Sequence, residues 1–274
     1  KTIKQVWYGT TEGTPYGSGS DFPMWYNIDF IANSNYTAQK LMEKNYRVVD
    51  VVFHGYDPEE LKNAQQFGER YRAKIERDFP GKIYFGVVEG GHKRKGWDKL
   101  ADAVNMLDNS IKSKIVIFAI APKEIQEKIL SNTDQNVVKV VGEFGKLQRE
   151  QILGFIYAMD YLIIPSLGEG FGLPLLEANA MKRLAIYCNY MPLSEFSDIR
   201  ANITFPYDNV IEIIDNGIEF ELHNYDPQYL ADSIKEAVEI KESGEYEKRA
   251  ERAHDAVKDM TIENLYPKII KYIE

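Results

Sequence analysis

The run Tyr161-Leu162-Ile163-Ile164-Pro165-Ser166-Leu167-Gly168-Glu169-Gly170-Phe171-Gly172-Leu173-Pro174-Leu175-Leu176-Glu177-Ala178 decides the fold class. Its first four residues are apolar and partly β-branched, the pattern of a strand buried in a parallel sheet. Gly168, Gly170 and Gly172 then let the backbone turn sharply and pass close to a ligand. Pro174 suits the first turn of a helix, where its missing N–H is no loss. Leu175, Leu176, Ala178 and Ala180 continue that helix. A glycine turn feeding a helix start brings free N–H groups and the positive end of the helix dipole to one spot, which makes an anion site.

Two carboxylates qualify that site. Glu169 lies in the turn, and Glu177 lies about one turn into the helix, where side chains lean back toward the N-terminus. Both are therefore expected at the same mouth. A bare phosphate would be repelled there. A ligand carrying phosphate and many hydroxyls would be welcome, because carboxylates accept hydrogen bonds from sugar hydroxyls. A nucleotide sugar has that chemistry. The alternative is a purely structural turn whose acids cap the helix and face water.

Outward from this run, the pattern alternates. Strands are expected at 83–88, 115–120, 137–141, 161–164 and 184–187, with helices at 97–107, 123–130, 149–159 and 174–181. Five strands alternating with helices imply an α/β fold with a doubly wound parallel sheet. Ligands in such sheets bind beyond the carboxyl ends of the strands. The turns at 89–95, 142–146, 167–172 and 189–193 all lie at those ends. Residues 227–240 and 246–257 read as amphipathic helices. Before residue 80, the Gly17-Ser18-Gly19-Ser20 run reads as a flexible loop. Residues 28–34 and 48–53 read as strands, 36–43 as a helix, and Asp57-Pro58-Glu59-Glu60 as a helix start.

The E-G-F-G-L-P-L-L-E-A segment at 169–178 resembles the E-x7-E signature of retaining glycosyltransferases of family 4, which have the GT-B fold. Weaker pieces fall in the matching order. They are His54-Gly55-Tyr56-Asp57-Pro58-Glu59, Lys95-Gly96-Trp97-Asp98-Lys99-Leu100, Val140-Val141-Gly142-Glu143-Phe144-Gly145-Lys146-Leu147 and Met191-Pro192-Leu193-Ser194-Glu195. The resemblance implies transfer of a sugar from a nucleoside diphosphate sugar to a hydroxyl acceptor (on a sugar, a lipid or a protein glycan) with retention of configuration. No cofactor and no metal is implied. Glu169 and Lys95 would be catalytic, Glu169 holding sugar hydroxyls and Lys95 the diphosphate. Glu177 would hold the ribose. Gly170, Phe171, Gly172 and Leu173 would line the phosphates and sugar, and Gly142, Phe144 and Leu147 the base. The family usually carries an Arg six residues before the Lys, and here that position is Glu89. Lys93 or Arg94 is the candidate for the second cation.

The resemblance also implies two Rossmann-like domains, a reduced or truncated acceptor-side domain at 1–80 and a donor-binding domain at 81–274. The last helix, 262–273, would cross back to the first domain. Two other functions stay open: a nucleotide-sugar-binding subunit that transfers nothing, and a GT-B epimerase of nucleotide sugars.

Composition narrows the partners. The formal charge of the 274 residues is -9, and no long basic stretch interleaves with aromatics, which argues against nucleic acid. Cys188 is the sole cysteine, so no intrachain disulfide and no thiolate metal cluster can form. His54, His92, His223 and His254 lack close ligand spacing. No apolar run reaches the ~20 residues of a membrane span, and the first residues lack an apolar signal core. A cytoplasmic protein is expected, and peripheral contact with a membrane is compatible with the sequence.

Overall fold

The computed structural model describes residues 5–15 and 28–273. The glycine-serine run at 17–20 and the first four residues lie outside them.

The first part builds a small parallel sheet. Its strands are β1 (Gln5–Gly9), β3 (Ile28–Ala32) and β4 (Val48–Val51), in the order β1-β3-β4, with the two-residue β2 (Thr14–Pro15) lying outside it. Helix α1 (Asn35–Glu43) follows β3. Ser34 caps it by accepting from the Thr37 N–H at 3.0 Å, which is why the expected strand 28–34 stops at Ala32. Helix α2 (Pro58–Asp78) starts as its sequence dictates: Asp57 accepts from the N–H groups of Glu59 and Glu60, and Pro58 takes the first position.

The second part alternates strands with helices. In order it contains β5 (Ile83–Val88), α3 (Trp97–Met106), α4 (Asn109–Lys112), β6 (Ile115–Ala121), α5 (Lys123–Lys128), β7 (Val138–Glu143) and α6 (Arg149–Ala158). Then come β8 (Tyr161–Ile164), α7 (Leu173–Ala180), β9 (Leu184–Cys188), α8 (Leu193–Phe196) and β10 (Ile203–Phe205). The strands form one six-stranded sheet in the order β10-β9-β8-β5-β6-β7, parallel throughout. Every residue of β5, β6, β8 and β9 is buried, as continuous apolar runs require. Buried tyrosines place their hydroxyls on carbonyls: Tyr161 donates to Ala237 O at 2.8 Å and Tyr225 to Pro165 O at 2.7 Å.

The sheet therefore has six strands rather than the expected five. The sixth, Ile-Thr-Phe at 203–205, is too short to show a period. Beyond it an antiparallel hairpin, β11 (Asn209–Asp215) and β12 (Ile218–Asn224), closes through Asn216-Gly217, both with positive φ. That pair is a two-residue hairpin signal, and the hairpin is an element the pattern of larger strands passed over. β12 also pairs with β2, Ile218 opposite Pro15 and Glu219 opposite Thr14, so the two parts share a strand ladder. Helices α9 (Pro227–Ser243) and α10 (Tyr246–Val257) then cover the sheet.

The expected single helix at 262–273 is a correction. It is two short helices, α11 (Ile262–Leu265) and α12 (Pro267–Ile270), because Pro267 has no N–H to continue the first. The Tyr272 hydroxyl donates to Asp50 Oδ2 at 2.8 Å, so this segment lies against the first sheet. Among the described residues, no helix is long and apolar enough to cross a membrane.

Helix α2 packs closely along α6 because two glycines face each other. A Cβ on Gly154 would sit 2.5 Å from Phe67 Cδ1 and 3.0 Å from Ala64 O, and one on Gly68 would meet Gly154 O at 2.8 Å. Gly154→Ala improves helix propensity by roughly 1 kcal/mol, yet the crowding should win and lower stability by about 1–3 kcal/mol. Urea unfolding checks this. A midpoint at or above that of the wild type would show that the helices separate freely.

Candidate active site

The strand order places the site before any side chain is considered. The chain moves one way from β5 to β6 to β7 and the other way from β8 to β9 to β10. The switch point therefore lies between the neighbours β5 and β8, and ligands of open α/β sheets bind at the carboxyl ends flanking such a point. The residues there are Glu89, just past β5, and the turn at 165–172, just past β8.

The turn presents bare amides. Gly172 caps α7 at φ 99°, and no side chain caps that helix. Among the described residues, no hydrogen bond claims the N–H groups of Gly170, Phe171, Gly172 or Leu173. The loop after β1 covers the turn: a Cβ on Gly170 would fall 2.4 Å from Thr10 Oγ1. The Ser34 hydroxyl donates to Gly170 O at 3.4 Å. Phe171 contributes backbone only, since its ring is buried, stacked on Phe196 at 4.8 Å and edge-on to His54 at 5.0 Å.

An ion cluster fills the switch point. Lys95 Nζ lies 2.5 Å from Glu169 Oε1 and 2.8 Å from Glu89 Oε2. Arg94 donates to Gly168 O at 2.8 Å, lies 3.3 Å from Glu169 Oε2, and pairs with Glu12 from the loop after β1. Arg94 Nε is buried and has no hydrogen-bond partner among the described residues, a donor that a bound oxygen would satisfy. Burial pushes Glu169 up, but Lys95 and Arg94 more than reverse it and hold its carboxyl below the usual value. Burial presses Lys95 down, while Glu89 and Glu169 outweigh it and hold the ammonium above its usual value. Glu89 behaves oppositely. Burial, aided by Glu169 and opposed by Lys95 and Arg94, pushes it up to about 7.

Glu177 belongs to a separate network. Its buried carboxylate pairs with Arg149, the first residue of α6, and Arg149 Nε in turn reaches Glu60 Oε2 at 3.2 Å. Burial raises the Glu177 pKa, and Arg149 only partly offsets this. Arg149 was not singled out from sequence; its signal is a cation at a helix start just past the carboxyl end of β7. Gly142 ends in contact with Leu147, a Cβ there falling 2.9 Å from Leu147 Cδ1, and the exposed Phe144 ring borders Gly90. Leu173 is exposed at the start of α7. Lys93 is exposed as well, and among the described residues it makes no ion pair, so the structure brings Arg94 rather than Lys93 to Glu169. His54 also escaped the sequence reading as a site neighbour. It sits past β4, where Nδ1 meets the Tyr8 hydroxyl at 3.0 Å, and burial lowers its pKa. No group of three His, Cys, Asp or Glu side chains among the described residues is arranged to hold a metal ion.

A sequence model described as Glycosyl transferases group 1 matches residues 82–239. The chain is 32% identical to the "Uncharacterized glycosyltransferase 335" of Sulfolobus islandicus rod-shaped virus 1, over 98% of this chain and 79% of the relative. It is 24% identical to the "Uncharacterized glycosyltransferase MJ1178" of Methanocaldococcus jannaschii, over 68% of this chain and about half (49%) of that relative. Solved structures are similar as well, among them the following two. Anabaena Alr3699/HepE, crystallised with UDP and glucose, superimposes with TM-score 0.64 at 16% identity, covering 88% of this chain and 62% of that one. An alpha,alpha-trehalose-phosphate synthase (UDP-forming) from Burkholderia vietnamiensis gives 0.74 at 13% identity, over 99% and 66%. These likenesses show the fold, which is of the GT-B glycosyltransferase type.

The raised Glu89 pKa has a sign. From the ordinary 4.5 to about 7, the unfolded chain ionises this group before the folded protein does, so stability is lost as pH rises through that window. Glu89→Gln should abolish this loss. The difference in unfolding free energy between the variant and the wild type, measured from pH 4.5 to 8, should grow with pH. A flat difference would show that Glu89 ionises normally.

Proposed function

This chain belongs to the Glycosyl transferases group 1 family, and from that premise we propose that it moves a sugar from a nucleoside diphosphate sugar to a hydroxyl acceptor with retention of configuration. The observation that carries the proposal is the pair of cations on Glu169 at the sheet's switch point, beside unclaimed N–H groups. In this reading the donor diphosphate takes the place of carboxylate oxygens on Lys95 and Arg94. The Arg94 Nε–H and the N–H groups of Gly170, Phe171 and Gly172 supply further donors to the phosphates or sugar. Such donors, fixed in a dry site, stabilise the charge that builds on the leaving diphosphate. Arg94 fills the role left open by Glu89. The reading includes no metal, Lys95 and Arg94 being the positive charges that face the diphosphate.

Glu169, freed from Lys95 and Arg94, accepts hydrogen bonds from sugar hydroxyls near the anomeric carbon. Glu177 accepts from the ribose hydroxyls, with Arg149 holding its carboxyl in place. Gly142, Phe144 and Leu147 border the base. The protein's share of the work is to position the reactants and stabilise the leaving group. UDP in the HepE structures favours a uridine diphosphate donor.

Buried Glu89 favours a second reading, a nucleotide-sugar-binding subunit without turnover, since it adds a third carboxylate to a site for an anion. Donor hydrolysis separates the two. UDP-glucose should raise the melting temperature, because a ligand that binds only the folded state stabilises it, and should be slowly hydrolysed. Binding without hydrolysis or transfer across acceptors would support the subunit. Glu169→Gln should lower turnover by about a hundredfold or more, the scale of one lost transition-state contact. Unchanged turnover would remove Glu169 from the mechanism. Lys95→Ala should weaken UDP more than UMP, by roughly tenfold for one charge-assisted contact. Equal losses would place Lys95 away from the diphosphate.

A further inference from the structure

A cleft of about 330 Å³ is lined by residues that touch the turn carrying Glu169. Tyr36 and Lys40 of α1, Ser194 of α8, Tyr207, and Glu221 and His223 of β12 line it. Its volume lies in the range of small-molecule sites, roughly 300–1,000 Å³. Both parts of the chain contribute, and nothing in the donor chemistry above uses these side chains.

The lining has a consistent chemistry. His223 is fixed by the Leu167 carbonyl, which its Nδ1 meets at 3.1 Å and its backbone N–H at 2.7 Å. A carbonyl only accepts, so Nδ1 carries the proton. Burial keeps the ring below its usual pKa and hence neutral. Nε2 is then an acceptor, with no partner among the described residues. The ring stacks on Tyr190 at 4.3 Å and receives the edge of Tyr207 at 4.8 Å. The hydroxyls of Tyr36, Tyr207 and Ser194 likewise have no partner among the described residues. Lys40 is paired with Glu221, and with Glu43 at 3.4 Å. The two charged side chains of the lining, Lys40 and Glu221, are thus paired with each other. The cleft offers one exposed aromatic ring, Tyr207, and a set of unfilled hydrogen-bonding groups. A lipid chain would strand those polar groups, and a phosphate would meet Glu221. A neutral pyranose fits, since it presents hydroxyls around its rim and C–H bonds on its face.

The position gives the ligand its role. The Tyr190 hydroxyl donates to Ser166 O at 3.0 Å, and a Cβ on Gly168 would lie 3.2 Å from Glu221 O. Residues that line the cleft thus touch the segment that carries Glu169. We propose that this cleft is a carbohydrate subsite holding a non-reacting sugar ring of the acceptor. The acceptor is accordingly a glycan, a conclusion that rests on the transferase reading above.

The test titrates sugars without nucleotide. Methyl α-glucopyranoside, methyl α-mannopyranoside and methyl α-galactopyranoside are added singly, and saturation-transfer NMR follows their ring protons. At least one should receive saturation from the protein. Tyr207→Ala should weaken that sugar about fivefold to tenfold, the scale of one lost aromatic contact. Tyr36→Phe, which keeps the buried ring, should weaken it by a smaller factor, and UDP affinity should be unchanged in both. Absence of transfer to all three sugars, or identical titrations in wild type and both variants, overturns the proposal. Because no nucleotide is present, that failure leaves the donor reading standing. Sugar binding without any binding of UDP or UDP-glucose would instead count against the donor reading alone.

Discussion

The contact between Lys95 and Glu169 is the constraint on which the site depends. Removing an ion from water costs several kcal/mol after relaxation, and a partner repays this only with good geometry. Here Glu169 is buried against two cations, and those cations serve two further acids, Glu12 and Glu89. Three carboxylates on two cations is a poor way to stabilise a fold. Apolar residues of similar size would fill the same space at less cost. It is a sensible way to keep cations ready for a ligand, because each side chain is already oriented and largely desolvated. In the proposed reading, a diphosphate would exchange one set of oxygens for another instead of ordering flexible lysines. The Arg94 Nε–H, without a partner among the described residues, fits that view, since it remains a donor for a ligand.

The parallel sheet was legible because its strands are long apolar runs bounded by turn residues. The donor turn was legible because three glycines and a proline leave the backbone few alternatives. The short elements were not. Ile203-Thr204-Phe205 carries no period, and the hairpin at 209–224 alternates weakly, with exposed Val210, Ile211 and Ile214 on its outer strand. Its Asn216-Gly217 turn was nonetheless readable. The break at Pro267 was equally readable, and periodicity across it gave one helix where there are two.

The site was legible in residue identity and less so in pairing. Glu169, Lys95 and Arg94 converge as a turn, a helix start and a basic loop at strand ends must. The expectation that Glu169 and Glu177 share one mouth takes a different form in the structure, where each acid has its own cations. Long-range partners explain the difference. Glu177 meets Arg149 from another helix, and Arg149 meets Glu60 from α2. Such pairs depend on how α2, α6 and α7 pack, and no local spacing encodes that. Glu12 is similar, reaching Arg94 across the chain.

Those long-range partners also fix how the two parts meet. Glu195 accepts from the N–H groups of Asn35 and Tyr36 at 2.7 and 2.8 Å, so a carboxylate of the second part caps the first turn of α1. Lys40 of the same helix pairs with Glu221 of β12, and β2 adds to that hairpin as a strand. The acid on the helix's positive end and Lys40, four residues after Tyr36, act on one rigid element. Each contact alone is modest, but all of them bear on the same face. They hold α1 against the donor turn, where Ser34 meets Gly170. The distance between the first sheet and Glu169 is therefore set by side chains from both parts, and a ligand entering between them must work against this shared set of contacts. Apolar contacts join the parts as well, Phe171 lying edge-on to Phe53 and His54, so opening breaks polar pairs that water can replace together with apolar surface that it cannot.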